Sequence, residues 1–282
     1  MTPDSRLYTF IDESREFVLY FLEGQTLIQQ LALLHPIRRA GFAYFRDVVL
    51  SVQPMIALLK QGEQFGFYID SEEPYFRLKL EASHHGTTRC VLVPEEFQEF
   101  PEAMHGLVRV QKLYPNNPPY ESVLRAQGLP LREIVNHVLN ESYQVKSAIM
   151  LSQTSDQSVL LLQLPPAPGT EDYDYSKAAV RARREHFREP LLGIFARALH
   201  HPSEIEEAFE GIDFQLLASR PVRFHCYCTK ERMIENLHPV YQHQGDQLFE
   251  TGMDTLEVVC EYCKSCYRIS REELRRAVNR TH

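Results

Sequence analysis

The sequence is sparing with residues that loosen structure: 12 glycines and 17 prolines make about a tenth of its 282 positions, which excludes collagen-like and low-complexity chains. It also lacks an excess of positive charge. Thirty Lys and Arg against 38 Asp and Glu leave a net charge of −8. A protein that lives on nucleic acid needs clustered cations to neutralise phosphates, so nucleic acid is not expected as a partner, although a local basic patch stays open. Long apolar runs are missing too. The stretch MTPDSRLYTFIDESREFVLYFLEG sets Asp4, Arg6, Asp12, Glu13, Arg15 and Glu16 among its apolar residues and so has no signal-peptide core. The run Phe42 to Leu59 carries Arg46, Asp47 and Pro54, which a membrane span of about 20 residues would not carry cheaply. These absences predict a cytoplasmic protein with no membrane partner. No G-x-S-x-G, P-loop, H-E-x-x-H or Rossmann glycine pattern occurs, which argues against an enzyme. There is no internal repeat.

What is present is an ordinary globular composition, 44% hydrophobic and 24% charged, in a chain long enough to bury a core. Residues 6 to 22 read as two strands around the polar turn IDESRE. Helical spacing follows from Gln25, interrupted at His35-Pro36, until Pro54. Three β-type runs come next, Phe65 to Asp70, Tyr75 to Glu81 and Thr88 to Pro94, then Gly106 to Leu113 and the Pro-rich turn YPNNPPY. A helix over Leu131 to Tyr143 and β-type runs at Ala148 to Ser152 and Val159 to Leu164 lead to PPAPG at 165–169. The pattern predicts an α+β fold in three parts: a sheet-and-helix domain over 1–168, a helical linker over 169–222 and a small C-terminal metal domain over 223–282. The linker is highly charged and thinly apolar, so it should fold by docking on something else. Within it, Ser203 and Glu206 have the spacing of a capping box.

The six cysteines carry the chemistry. Cys90 stands alone in a β-type run and reads as a small buried apolar residue. The others crowd into the C-terminal region: Cys226-Tyr227-Cys228, then 31 residues, then Cys260-Glu261-Tyr262-Cys263, with Cys266 beyond. In a reducing cytosol such a cluster is metal-binding or redox-active rather than a disulfide framework. Two close thiolate pairs brought together by a folded loop supply the four corners of a tetrahedral Zn²⁺ site. Cys226, Cys228, Cys260 and Cys263 are therefore the candidate ligands, and Cys266 is expected to be dispensable at rest, though available as a resolving thiol or substitute ligand. His225 is a poor ligand because it adjoins Cys226. His84-His85 and His200-His201 read as solvated loop histidines. A helix starting near Thr229 would turn its positive end to the first thiolate pair, and Ser270-Arg271-Glu272-Glu273 is a capping box for a terminal helix with Leu274 and Val278 on one face.

The stretches RFHCYCTKERMIENL and TLEVVCEYCKSCYRISREEL resemble the C-terminal zinc redox-switch domain of the heat-shock protein 33 family, the redox-regulated holdase chaperones. The resemblance continues upstream. PPYESV falls where the family has P-Y-S-G, VLNESYQVKSAIML where it has S-E-Q, and VLLLQLPPAPG where it has its Q-L-L-P strand. It implies that the reduced Cys226, Cys228, Cys260 and Cys263 hold Zn²⁺, that they form disulfides within each close couple on oxidation, and that this switches on binding of unfolding client proteins. It further implies transfer of clients to an ATP-dependent foldase chaperone; apolar surface uncovered on oxidation would also be open to a second copy of the chain, a homodimer. The alternative is a constitutive zinc-ribbon binding module with a purely structural metal, RNA being its conceivable ligand. Residues 223–282 hold nine Lys and Arg and nine Asp and Glu, which weighs against that alternative; Arg268, Arg271, Arg275, Arg276 and Arg280 keep it open.

Overall fold

In the computed structural model, which describes residues 3–97, 101–166, 173–249 and 252–280, the chain opens with an antiparallel pair, β1 (Arg6–Asp12) and β2 (Phe17–Glu23). Asp12 organises the turn between them: its carboxylate accepts the Ser14 hydroxyl and the backbone N–H groups of Glu16 and Phe17 at 2.6, 2.9 and 3.0 Å. Helix α1 (Gln25–Leu34), a two-residue strand β3 (Arg38–Arg39) and helix α2 (Ala40–Val52) follow. The helical period does not stop at Pro54. It continues as a 3₁₀ turn over Gln53–Leu58, where the proline sits in the first turn and needs no N–H partner.

Strands β4 (Gln64–Glu73), β5 (Phe76–Ser83), β6 (Thr87–Val93), the short β7 (Glu96–Phe97), β8 (Ala103–Leu113) and β9 (Tyr120–Pro130) come next, then α3 (Ile134–Glu141), β10 (Ser147–Leu151) and β11 (Gln157–Gln163). Strand β9 has no sequence signal. Leu124, Ala126 and Leu129 are apolar and packed on the core, while Glu121, Arg125 and Gln127 face out. Helices α4 (Lys177–His186), α5 (Arg188–Arg197) and α6 (Pro202–Glu210) precede β12 (Phe214–Pro221) and β13 (Arg223–Phe224).

These elements form one unit, Met1–Phe224, around two sheets. The six-stranded sheet runs β13-β6-β5-β4-β8-β9 and the five-stranded sheet β10-β11-β2-β1-β12. The larger core lies between the first sheet, helices α1 to α3 and one face of the second, reached by Leu7, Leu22 and Leu160. Cys90 is fully buried in it, as its β-type run predicts, and burial pushes its thiol pKa up. The other face of the five-stranded sheet presents Tyr8, Phe10, Phe17, Leu19, Phe21, Val159 and Leu161 to α4–α6. Because both faces are covered, β11 is buried at every position, and its centre, 159–162, is a continuous apolar run rather than an alternation.

The segment read as a linker therefore contributes three helices to a core, and its last stretch is a strand. Phe209 of α6 stacks on Phe10 at 4.3 Å between ring centroids and lies 5.0 Å from Phe21. β12 pairs along β1 as the outer strand, with Phe214 buried but Leu217 exposed, a pattern too irregular to read as alternation. The capping box at Ser203 and Glu206 does not form. Helix α6 starts two residues earlier, at Pro202, with His201 at the cap and no side-chain cap bond, because proline already suits the first helical position. The two loop-histidine pairs also divide. His85 and His201 are exposed, but His84 donates from Nδ1 to the Leu59 carbonyl at 2.9 Å and His200 donates to buried Glu23 at 2.9 Å. Burial pushes the Glu23 carboxyl above its ordinary value, opposed by those N–H bonds from His200 and Gln25. The PPAPG segment lies partly outside the described residues.

A buried ion pair fastens α4 to the first hairpin: the Arg183 guanidinium reaches the fully buried Asp12 carboxylate at 2.7 Å and packs over the Phe17 and Phe187 rings. Arg183→Met leaves that carboxylate without its cation and is expected to lower stability by about 2 kcal/mol, with faster trypsin cutting in α4 and α5. Arg188→Ala, which breaks an exposed pair with Glu185, is expected to change stability by less than about 0.5 kcal/mol. Urea denaturation of the two variants side by side checks this, and equal midpoints would contradict it.

Candidate metal centre

Residues His225–His282 form a second compact unit. Thr229 caps helix α7 (Lys230–Gln244), its hydroxyl accepting the Arg232 N–H at 3.3 Å, so the positive end of the helix begins two residues after Cys228. The sequence shows helical spacing only to Leu237, but α7 runs through Pro239, because Tyr241 in the last turn is buried. Strands β14 (Thr255–Val259) and β15 (Cys266–Ser270) make an antiparallel hairpin, and α8 (Arg271–Arg280) follows. The capping box of α8 is formed: the Ser270 N–H donates to the Glu273 carboxylate at 2.8 Å and the Glu273 N–H to the Ser270 hydroxyl at 3.3 Å. Together with the Lys230 ammonium 2.6 Å away, these bonds bring the Glu273 carboxyl pKa down to about 2.

The hairpin bend carries the second cysteine couple. Cys260 donates its N–H to the Ser265 carbonyl and its own carbonyl accepts the Lys264 N–H, both at 2.9 Å. Lys264 takes a φ of 60° to close this bend, a left-handed conformation uncommon for a residue with a Cβ. The result sets the sulfurs of Cys226, Cys228, Cys260 and Cys263 all within 4.8 Å of one another. The Sγ atoms of Cys226 and Cys260 are 3.7 Å apart and those of Cys228 and Cys263 are 3.2 Å apart. Tetrahedral metal–sulfur bonds of about 2.3 Å require sulfur–sulfur edges of about 3.8 Å. Four sulfur donors, one couple on each side and one sulfur buried at Cys260, fit a closed four-thiolate metal site.

Their protonation is uneven. Burial pushes the Cys228 thiol up to about 12 against the effect of a Tyr267 hydrogen bond, and burial raises Cys260 as well. Cys263 falls to about 7: desolvation would raise it, but the Ser265 hydroxyl and N–H and the neighbouring thiols outweigh that. Cys266 is exposed on β15 opposite Val259 and stands outside the cluster. His225 is likewise outside it, its ring packed edge-on to Tyr227 at 4.4 Å. The unit's own apolar core is small, its buried members being Tyr241, Phe249, Ile269 and Leu274. Of the arginines that kept a nucleic-acid reading open, Arg268 pairs with Glu257, Arg271 and Arg275 with Asp246, and Arg276 with Glu272. The side chains of Val278 and Arg280 lie outside the described residues.

The family model of the Hsp33 protein matches residues 5–270, nearly the whole chain and both units. The chain belongs to the Hsp33 family. Its relatives include the 33 kDa chaperonin of Deinococcus radiodurans, 25% identical over 60% of this chain and 57% of that one, and that of Synechococcus, 23% identical over 89% and 84%. The 33 kDa chaperonin of Bacillus subtilis is 33% identical over 38% of this chain and 35% of its own. The chain thus spans under two thirds of several relatives it matches. The crystal structure of the Thermotoga maritima Hsp33 homologue superposes with a TM-score of 0.73 over 99% of both chains at 12% identity, which shows the same fold. Among the described residues no helix is long and apolar enough to cross a membrane.

Two residues at the centre of this Hsp33 chain escape sequence reading: Ser265, bonded to Cys263 at 3.2 Å, and Tyr267, bonded to Cys228 at 3.1 Å. Both follow Cys263 closely, but only the hairpin turns them back onto the sulfurs. Cys228→Ser and Cys260→Ser are each expected to cut the metal content of the reduced protein sharply, whereas Cys266→Ser retains more than half. Elemental analysis of the purified proteins measures this. Full retention in the first two variants, or loss in the third, means that the tetrahedron has other corners.

Proposed function

We propose that this chain is a redox-regulated holdase chaperone whose reduced Cys226, Cys228, Cys260 and Cys263 hold one Zn²⁺. The observation that carries the reading is the four-sulfur cluster in a unit with so small an apolar core, within a chain of the Hsp33 family. The name borne by the relatives, 33 kDa chaperonin, supports a chaperone rather than an enzyme. A bound metal of this kind screens the charge of four thiolates and supplies most of a small domain's folding free energy, on the order of 10 kcal/mol.

The protein's own residues perform the switch. Metal-bound thiolates remain nucleophilic toward peroxide or hypochlorous acid. Two thiolates and two protons reduce one hydrogen peroxide to two waters and become a disulfide. Pairing within each couple, Cys226 with Cys228 and Cys260 with Cys263, is the family-derived arrangement. Sulfurs held in disulfides no longer serve as thiolate ligands, and residues 223–282 lose their fold. Helices α4–α6 then loosen from the five-stranded sheet, whose apolar face they cover, and that face becomes available to unfolding clients and to a second copy of the chain. Return to reducing conditions would hand clients to an ATP-dependent foldase. Thiols that must stay reduced to hold a metal suit the reducing cytoplasm.

Peroxide under mild heat is expected to release zinc, increase protease cutting within 173–222, and suppress aggregation of a thermally unfolding client. If zinc is released while α4–α6 stay protected and the client aggregates as before, only a structural metal site remains.

A further inference from the structure

The sulfurs of the cluster are not equivalent, and one of them has a neighbour on β15 that the metal ligation itself does not require. The Tyr267 hydroxyl lies 3.1 Å from Cys228 Sγ and 3.1 Å from the Cys228 carbonyl oxygen. It has one proton and two acceptors. A hydrogen bond to a sulfur that carries negative charge is charge-assisted and the stronger of the two. Packing fixes the ring in this position, because Tyr267 stands opposite Val258 in the hairpin and lies half-buried against the Tyr241, Phe249, Ile269 and Leu274 core. The other close hydroxyl, Ser265, serves Cys263 and is exposed on the bend.

We infer that Tyr267 is a positioning residue whose hydroxyl, bonded to the Cys228 thiolate, restrains the reactivity of that one sulfur toward electrophiles. A lone pair engaged by an O–H is less available for attack. Reaction of Cys228 with hydrogen peroxide forms an S–O bond and breaks the O–O bond, and the expelled hydroxide takes a proton to become water. A neighbouring thiolate then attacks the sulfenic sulfur, forms the S–S bond and expels a second hydroxide, which is also protonated. Loss of the tyrosine hydrogen bond is part of the barrier to the first step, so Tyr267 raises the oxidant dose at which this couple closes. That consequence rests on the redox function proposed above; the restraint on the sulfur does not.

Tyr267→Phe keeps the ring and its packing and removes only the hydroxyl. The reduced full-length variant should still bind zinc, and its thermal midpoint should fall by no more than the loss of the bond to the Cys228 carbonyl implies. Site-resolved alkylation by iodoacetamide, read by mass spectrometry, should be about five-fold faster at Cys228 and unchanged at Cys260. Zinc loss under peroxide should speed up in parallel. A loosened domain would instead accelerate all four cysteines together, and that result, or an unchanged Cys228 rate, overturns the assignment to Tyr267 whatever peroxide does. Faster Cys228 alkylation with no peroxide-driven zinc loss in either protein upholds the restraint and sinks the redox function instead.

Discussion

Four sulfur atoms within 4.8 Å of one another set the terms for the C-terminal unit. As thiolates they repel, and at these separations the Coulomb cost amounts to several kcal/mol per pair even at an effective dielectric constant of about 20. As thiols they offer little cohesion. Only a cation, or covalent S–S bonds, removes the conflict. The surrounding elements serve that choice: the Thr229 cap starts α7 beside Cys228, the left-handed Lys264 closes the bend at Cys260 and Cys263, and the capped α8 presents Leu274 to the small core.

The larger unit depends on a different constraint, the double-sided burial of the five-stranded sheet. One face belongs to a large core that α1 to α3 complete, while the other is covered by three helices whose exposed faces are densely charged. Such helices bury enough to stay in place, through Phe209, Phe195, Leu191 and Ile205, and polar ties run from Arg183 of α4 to Asp12 and, in the turn between α5 and α6, from His200 to Glu23 and from Gln157 to the Leu199 carbonyl. An arrangement with a robust core on one side and a thin cover on the other can expose an apolar face without dismantling the fold. Gly86 shows how closely the sheets are joined: at φ 81° it approaches the Pro221 carbonyl where a Cβ would lie only 1.9 Å away, and its own carbonyl accepts the Arg223 N–H at 3.0 Å.

The Hsp33 relationship and the chemistry of the cluster reinforce each other from separate starting points. The match covers residues 5–270 at low identity to individual relatives, so it speaks for the fold and the family. The sulfur geometry speaks for the metal. The paired arginines of the C-terminal unit speak for neither, but they leave little unbalanced positive charge for a phosphate backbone among the described residues.

The sequence by itself determined the elements whose signal is local. The first hairpin, the α1–α2 break at His35-Pro36, the β4 to β6 run, the Ser270 capping box and the membership of the cysteine cluster are all legible because periodicity, turn chemistry and donor type act over a few residues. Tertiary structure alone decided the rest. Strands β9 and β12 exist because β8 and β1 offer them partners, despite weak alternation of their own. His200 found Glu23 across 177 residues, and Tyr267 reached Cys228 across 39. Local propensity cannot register such meetings, because their energy lies in contacts between segments that the chain brings together only when it folds.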